Sequence, residues 1–211
     1  MSACRWGRLA GFALLVGLLQ ACATAPLPVS GDPLAENRYA ERLARLQGAD
    51  HWTVEGKIAI RDSAEGGSGT LRWQVEPEGS RLDFHGALGR GAWRLDVAPI
   101  EAVLTLADGA VYRAASVDRL VAEQVGWPVP VAELSWWIRG LAAPGESARR
   151  SLGEAGVLLD LQQAGWSIEF DRYREFSGEL MPGLVVARRG ERQVKFAVRD
   201  WTLPAGTPPD G

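Results

Sequence analysis

The sequence predicts a mainly β protein with a few helices, built as a single curved antiparallel sheet or open β-barrel of about eleven strands. Three observations carry this. From residue 51 onward, apolar and polar residues alternate with a period of two in segment after segment. The segments are separated by short turns rich in glycine. The alternation lapses once, over residues 116–140, where the period becomes helical.

The first residues read as an export signal, to be kept out of fold reasoning. Arg5 and Arg8 supply positive charge ahead of the apolar run 9–19, which is too short to span a bilayer core as a helix. The run closes in Leu19-Gln20-Ala21-Cys22, a small residue followed by the cysteine that lipoprotein processing requires. Residues 1–21 are therefore expected to be a lipoprotein signal peptide, with Cys22 carrying N-acyl and S-diacylglycerol groups. Several acyl chains together anchor a protein stably where one does not. The residue after Cys22 is Ala23, not an aspartate that would favour inner-membrane retention, so the outer membrane, periplasmic face, is the expected site. Residues 22–32 form a Pro-containing tether.

Asp32 then offers an N-cap, Pro33 a first helical position and Glu36 an acidic first turn. Tyr39, Leu43 and Leu46 follow at helical spacing, so 33–47 is expected to be an amphipathic helix ending near Gly48. Strands are expected at 52–60, 69–76, 81–85, 92–97, 101–107 and 110–115, the last two joined at Asp108-Gly109. In 52–60, Trp52, Val54, Gly56, Ile58 and Ile60 share one face; Leu71, Trp73 and Val75, then Leu82 and Phe84, then Trp93, Leu95 and Val97 continue it. Helices are expected at 117–125, capped by Ser116 and stopped by Gly126-Trp127-Pro128, and at 131–140. Strands return at 148–152, 157–163, 166–173, 183–189 and 192–201. Residues 33–203 thus form one domain, followed by a disordered tail, 204–211.

Several chemistries are absent at the motif level. The chain has 23 basic and 26 acidic residues without a long run of either sign, which disfavours nucleic acid as a partner. Its two histidines, His51 and His85, sit at a strand start and on a polar strand face. Of two cysteines, Cys4 and Cys22, the first leaves with the signal, so neither a disulfide nor a zinc spacing is available. Gly66-Gly67-Ser68-Gly69-Thr70 lacks the spacing of a nucleophile elbow, and no phosphate-binding loop occurs. No catalytic residue, metal or cofactor is expected beyond the lipid on Cys22. Tryptophan is abundant instead: nine in all, eight of them beyond the signal. A curved sheet that is apolar inside can pack solid around them or leave room for an apolar ligand. The pattern leaves both open.

Trp52-x-Val54-x-Gly56-Lys57-Ile58-x-Ile60, Gly69-Thr70-Leu71-Arg72-Trp73, Leu88-Gly89, Gly126-Trp127-Pro128-Val129-Pro130, Leu134-x-x-Trp137-Ile138-x-Gly140, Gly165-Trp166-x-Ile168 and Val194-x-Phe196 ahead of Trp201, taken in order, resemble the LolB family of outer-membrane lipoprotein receptors. The resemblance implies an open barrel whose helices cover an apolar acyl-chain cavity. It implies a receptor that takes acylated lipoproteins from a LolA-like periplasmic carrier and inserts them into outer-membrane lipid, working as a monomer. The expected cavity residues are Val54, Ile58, Ile60, Leu71, Trp73, Leu82, Phe84, Leu95, Leu104, Trp137, Ile168 and Phe170. By the same resemblance Leu88, in the glycine-rich hairpin 86–91, is the leucine that delivers cargo to the bilayer. The family often has proline before that leucine, where this chain has Ala87. A different class of function, an envelope-assembly lipoprotein using its barrel as a docking surface, fits the residue pattern as well.

Overall fold

A computed structural model describes residues 31–62, 66–87 and 91–203. Cys22, most of the tether, Leu88 and the tail lie outside these residues. Helix α1 (Pro33–Gln47) begins where Asp32 accepts a hydrogen bond from the Leu34 N–H at 3.0 Å, has proline in its first turn, and is capped by Gly48. Thirteen strands follow among the described residues. They are β1 (Trp52–Arg61), β2 (Gly66–Glu76), β3 (Gly79–Gly86), β4 (Trp93–Val97), β5 (Ala102–Leu106) and β6 (Val111–Ala114), then β7 (Arg149–Leu152), β8 (Leu158–Gln163), β9 (Trp166–Asp171), β10 (Arg174–Phe176), β11 (Glu179–Met181), β12 (Leu184–Arg189) and β13 (Arg192–Thr202). Helices α2 (Val117–Val125) and α3 (Val131–Trp137) separate β6 from β7.

Eleven strands form one antiparallel sheet in the order β6-β5-β4-β3-β2-β1-β13-β12-β9-β8-β7. The first half is a meander of sequence neighbours, the second is interrupted only where β12 pairs with β9 across the intervening β10 and β11, and the halves meet where β1 pairs with β13. The sheet does not close, because β6 and β7 are both edges. The chain between those edges carries α2 and α3, which adds apolar side chains to the one continuous core. Asp118 of α2 accepts a hydrogen bond from the Val131 N–H at 2.9 Å, fixing where α3 starts. Helix α1 docks on the chain leaving α3: the Tyr39 hydroxyl accepts from the Ala142 N–H at 3.0 Å, and Arg42 Nη2 donates to the Arg139 carbonyl at 2.9 Å.

Alternation explains the two faces. In β1 the buried residues are Trp52, Val54, Gly56, Ile58 and Ile60, as their phase requires. The opposite phase builds a charge ladder across four strands. Glu55 faces Arg72, Arg72 faces Asp83, and Asp83 faces Arg94, with Arg72–Glu55 at 2.6 Å and Arg94–Asp83 at 2.7 Å. Such exposed pairs contribute only about 0–1 kcal/mol each; their effect is to keep this face in water. His85 is exposed on the same face and His51 at the start of β1.

Two expectations need correction. The segment expected as one strand over 166–173 ends at Asp171, since Arg172 takes φ 56°. A separate two-stranded ribbon, β10–β11, follows it. Its turn holds Ser177 at φ 50° and Gly178 at φ 81°, the left-handed pair of a tight hairpin. The helix expected over 131–140 stops at Trp137, and Gly140, at φ 72°, turns the chain toward α1.

Two glycines of β2 shape the apolar face. A Cβ on Gly69 would overlap the His85 carbonyl and come within 2.6 Å of the Phe84 ring, and one on Gly67 would come within 3.0 Å of the Trp127 ring. We predict that Gly69→Val destabilises the protein by about 1–3 kcal/mol through overpacking, read as a lower urea midpoint. An unchanged midpoint would show that the Phe84 ring is not confined there.

Candidate functional site

The concave face of the sheet encloses an apolar chamber. Its walls are Ile58, Ile60, Leu71, Trp73, Leu82, Trp93 and Leu95 from β1–β4, and Val185, Ala187, Val194 and Phe196 from β12 and β13. Val121 of α2, Trp127 and Val129 of the connecting segment, and Val131, Leu134 and Ile138 at α3 form its cover. The chamber has a volume of about 40 Å³. That is room for a water-sized molecule or two, far below the ~300 Å³ at which ligand pockets begin.

Larger clefts abut it at both ends. Trp93 and Trp127 belong both to the chamber and to a cleft of about 550 Å³ beside Gly86 and Gly91. Trp73 and Val131 belong both to the chamber and to a cleft of about 410 Å³ beside Gly79, Ala98 and Arg139. Rings therefore separate a nearly closed lumen from open space at either end. Phe84, Trp93 and Trp127 form one cluster, with Phe84 and Trp93 stacked at 5.3 Å and Trp127 edge-on to both at 4.8 and 5.6 Å. Trp73 is tilted against Trp52 at 5.7 Å, and Trp52 against Trp201 at 5.6 Å.

The indole N–H groups divide these tryptophans into two kinds. Trp137 Nε1 donates to Gln163 Oε1 at 3.0 Å. The same oxygen accepts from the Ala143 N–H at 2.8 Å, while Gln163 Nε2 donates to the Ala143 carbonyl at 2.7 Å. By contrast, Trp73 Nε1, Trp93 Nε1 and Trp201 Nε1 are buried without an acceptor. A buried donor without a partner costs about 1–3 kcal/mol, and a tryptophan held only for packing normally finds one. Trp73 and Trp93 are the two of these that stand at the ends of the chamber.

Six of the expected cavity residues meet at the chamber: Ile58, Ile60, Leu71, Trp73, Leu82 and Leu95. The other six are buried but do not line it. Phe84 faces the cleft beside Gly86. Val54 and Leu104 are fully buried in the core, and Ile168 and Phe170 nearly so. Trp137, also fully buried, packs 6.0 Å from Trp166 of β9 and bonds to Gln163 of β8, so it fills the space over those strands. Side-chain phase tells which face a residue occupies but not its height along the strand, and height separates the chamber from the packed core around it. The alternation of Val194 and Phe196 was a usable sign of lining residues; the run Leu184-Val185-Val186-Ala187 is buried on both faces and has no phase to read.

The unclosed antiparallel sheet folded around an apolar chamber defines a fold that solved proteins share. A LolA superfamily protein from Nitrosomonas europaea superposes with a TM-score of 0.51 over 80% of this chain and 93% of its own, at 10% sequence identity, a likeness of fold alone. The chain itself belongs to the outer-membrane lipoprotein LolB family, whose model matches residues 50–201. The outer-membrane lipoprotein LolB of Alkalilimnicola ehrlichii is 40% identical over 94% of this chain and 98% of that protein. That of Pseudomonas putida is 36% identical over 89% and 92%. The protein is thus an outer-membrane lipoprotein of the lipoprotein-localisation machinery.

The two kinds of tryptophan should differ in unfolding experiments. Trp137→Phe removes one hydrogen bond from Gln163 Oε1, which keeps that from the Ala143 N–H, and is expected to cost about 1 kcal/mol more than Trp93→Phe, which removes a donor that had no partner. Equal losses in urea titrations would mean that the Trp93 N–H is satisfied in solution.

Proposed function

We propose that this protein receives acylated lipoproteins from a LolA-like periplasmic carrier, shelters their acyl chains in the apolar chamber and passes them to the outer membrane. Cys22, lipidated at the mature N-terminus, anchors it there through the tether. The observation that carries the reading is the chamber itself: an apolar lumen whose ends are closed by aromatic rings with unpartnered N–H groups, next to clefts an order of magnitude larger.

At about 40 Å³ the lumen is too small for an acyl chain, so the proposal requires Trp73 or Trp93 to swing aside as cargo enters. Off-rotamer excursions cost about 0.5–1.5 kcal/mol each. Sheltering a chain of about sixteen carbons is worth up to roughly 12 kcal/mol, so the chain can hold the rings open. The carrier shelters the same chains, and transfer is downhill by the difference between two sheltered states. No ATP and no catalytic group is needed. The small lumen also favours the second reading, a docking lipoprotein with a solid core, and uptake of apolar probes separates the two.

Leu88 lies between Gly86 and Gly91, which line the cleft beside Trp93 and Trp127. We place cargo release at this end, with the Leu88 side chain dipping into the acyl boundary of the bilayer, where a carboxylate would be costly. Leu88→Glu is expected to accept lipoprotein from the carrier as the parent does and to deliver it poorly to liposomes. Its melting temperature should reflect a change within about ±0.5 kcal/mol, the range of a surface substitution. Normal delivery removes the insertion role, and unfolding makes Leu88 a core residue.

A further inference from the structure

The cleft beyond Trp73 contains a charge that nothing in the described structure neutralises. Arg139 is only 5% exposed. Its guanidinium lies 4.6 Å from the Trp136 ring centre and 5.4 Å from that of Trp52. Nε donates to the Ser135 carbonyl at 2.9 Å and Nη1 to the Leu46 carbonyl at 2.8 Å. Nη2 has no acceptor among the described residues, and no carboxylate pairs with the group. Burial alone lowers its pKa, to about 10, so it stays charged at neutral pH. An uncompensated buried cation is costly, and the two indole faces repay part of that cost. Neighbouring Arg42, by contrast, meets Glu179 at 3.4 Å.

The walls of this cleft specify what the free donor can accept. Trp52, Trp73 and Trp136 make it apolar, while Glu76 and Glu78 lie among its lining residues and oppose an anion. Arg139 already serves two neutral carbonyls, so a third is the ligand of matching chemistry. Trp73, whose N–H is also without an acceptor, stands between this cleft and the lumen. We propose that this cleft is the head-group subsite of the receptor, in which Arg139 donates to the ester and amide carbonyl oxygens of the acylated cysteine while the alkyl chains run past Trp73 into the chamber. The inference rests on the acyl-chain reading of the chamber. It adds a polar determinant by which a diacylglyceryl head is told from an alkane of equal length.

Photo-crosslinking of the full-length protein in liposomes tests it. One probe is a triacylated cysteine peptide with a diazirine on its glycerol beside the esters; the other is a diazirine-bearing hexadecane. Mass spectrometry is expected to find the head probe on the segments 47–52 and 135–139, and the alkane on chamber strands. Arg139→Met should reduce head labelling about tenfold and leave alkane labelling unchanged, with Arg139→Lys intermediate. Head labelling that is undiminished in Arg139→Met, or that maps to the Gly86–Gly91 end, overturns the subsite. If the alkane labels no chamber strand of the parent protein, the acyl-chamber reading fails first and the subsite with it. Should Arg139→Met not fold, the map on the parent protein decides alone.

Discussion

An antiparallel sheet with one apolar face must bury that face, and here the sheet is too long to remain flat and does not pair its edges to finish a barrel. Edge strands β6 and β7 stay apart. What covers the opening is the chain that must in any case run from one to the other, carrying α2 and α3. The two halves of the chamber wall therefore differ in kind. The sheet side is held by continuous ladders of backbone hydrogen bonds. The helical side is held by packing and a few polar ties, of which Asp118 to Val131 is one. An incomplete barrel thus gives its chamber one wall of continuous backbone ladders and one of fewer, weaker ties.

Hydrogen bonding separates the aromatic residues tied to the fold by a polar bond from those held by ring contacts alone. Gln163 binds Trp137 and both polar groups of Ala143, and so locks the end of α3 over β8. Trp73 and Trp93 have comparable burial without such ties. A ring held only by contacts with other rings loses little directional bonding when it moves. Gly67 and Gly69 matter for the same reason: the space they leave on β2 is occupied by Trp127 and Phe84, and this is a role for glycine that no turn requires.

Much of this architecture is legible in the residues. The limits of α1 follow from Asp32, Pro33 and Gly48, those of α2 from Ser116 and Gly126, and the buried phase of β1–β4 from strict alternation. The β10–β11 ribbon was missed because three-residue strands show no period; its only mark is the Ser177-Gly178 pair. The site was half legible. Phase identified Ile58, Ile60, Leu71, Trp73, Leu82 and Leu95, but it equally selected Val54 and Ile168, which sit at other heights. Arg139 went unnoticed because, in sequence, an arginine at the end of a helix reads as a solvated charge; only the approach of Trp52 from β1 and of Leu46 from α1 buries it.

The seam between β1 and β13 joins residues about 140 positions apart, as in Ile58 opposite Phe196, and it lies in the middle of the sheet with further strands on either side. A chain made N-terminus first can form the β1–β6 meander early, but that half keeps an open inner edge at β1 until the last strand arrives. Contacts of such long sequence separation are slow to form, because loop closure must be met before they reward it. Without β13, the β1–β6 half-sheet has an unpaired strand edge at β1 and leaves the apolar side of Trp52, Trp73 and Trp93 less covered. The first strand of the fold thus waits for the last, and truncations at the C-terminus should be felt at β1.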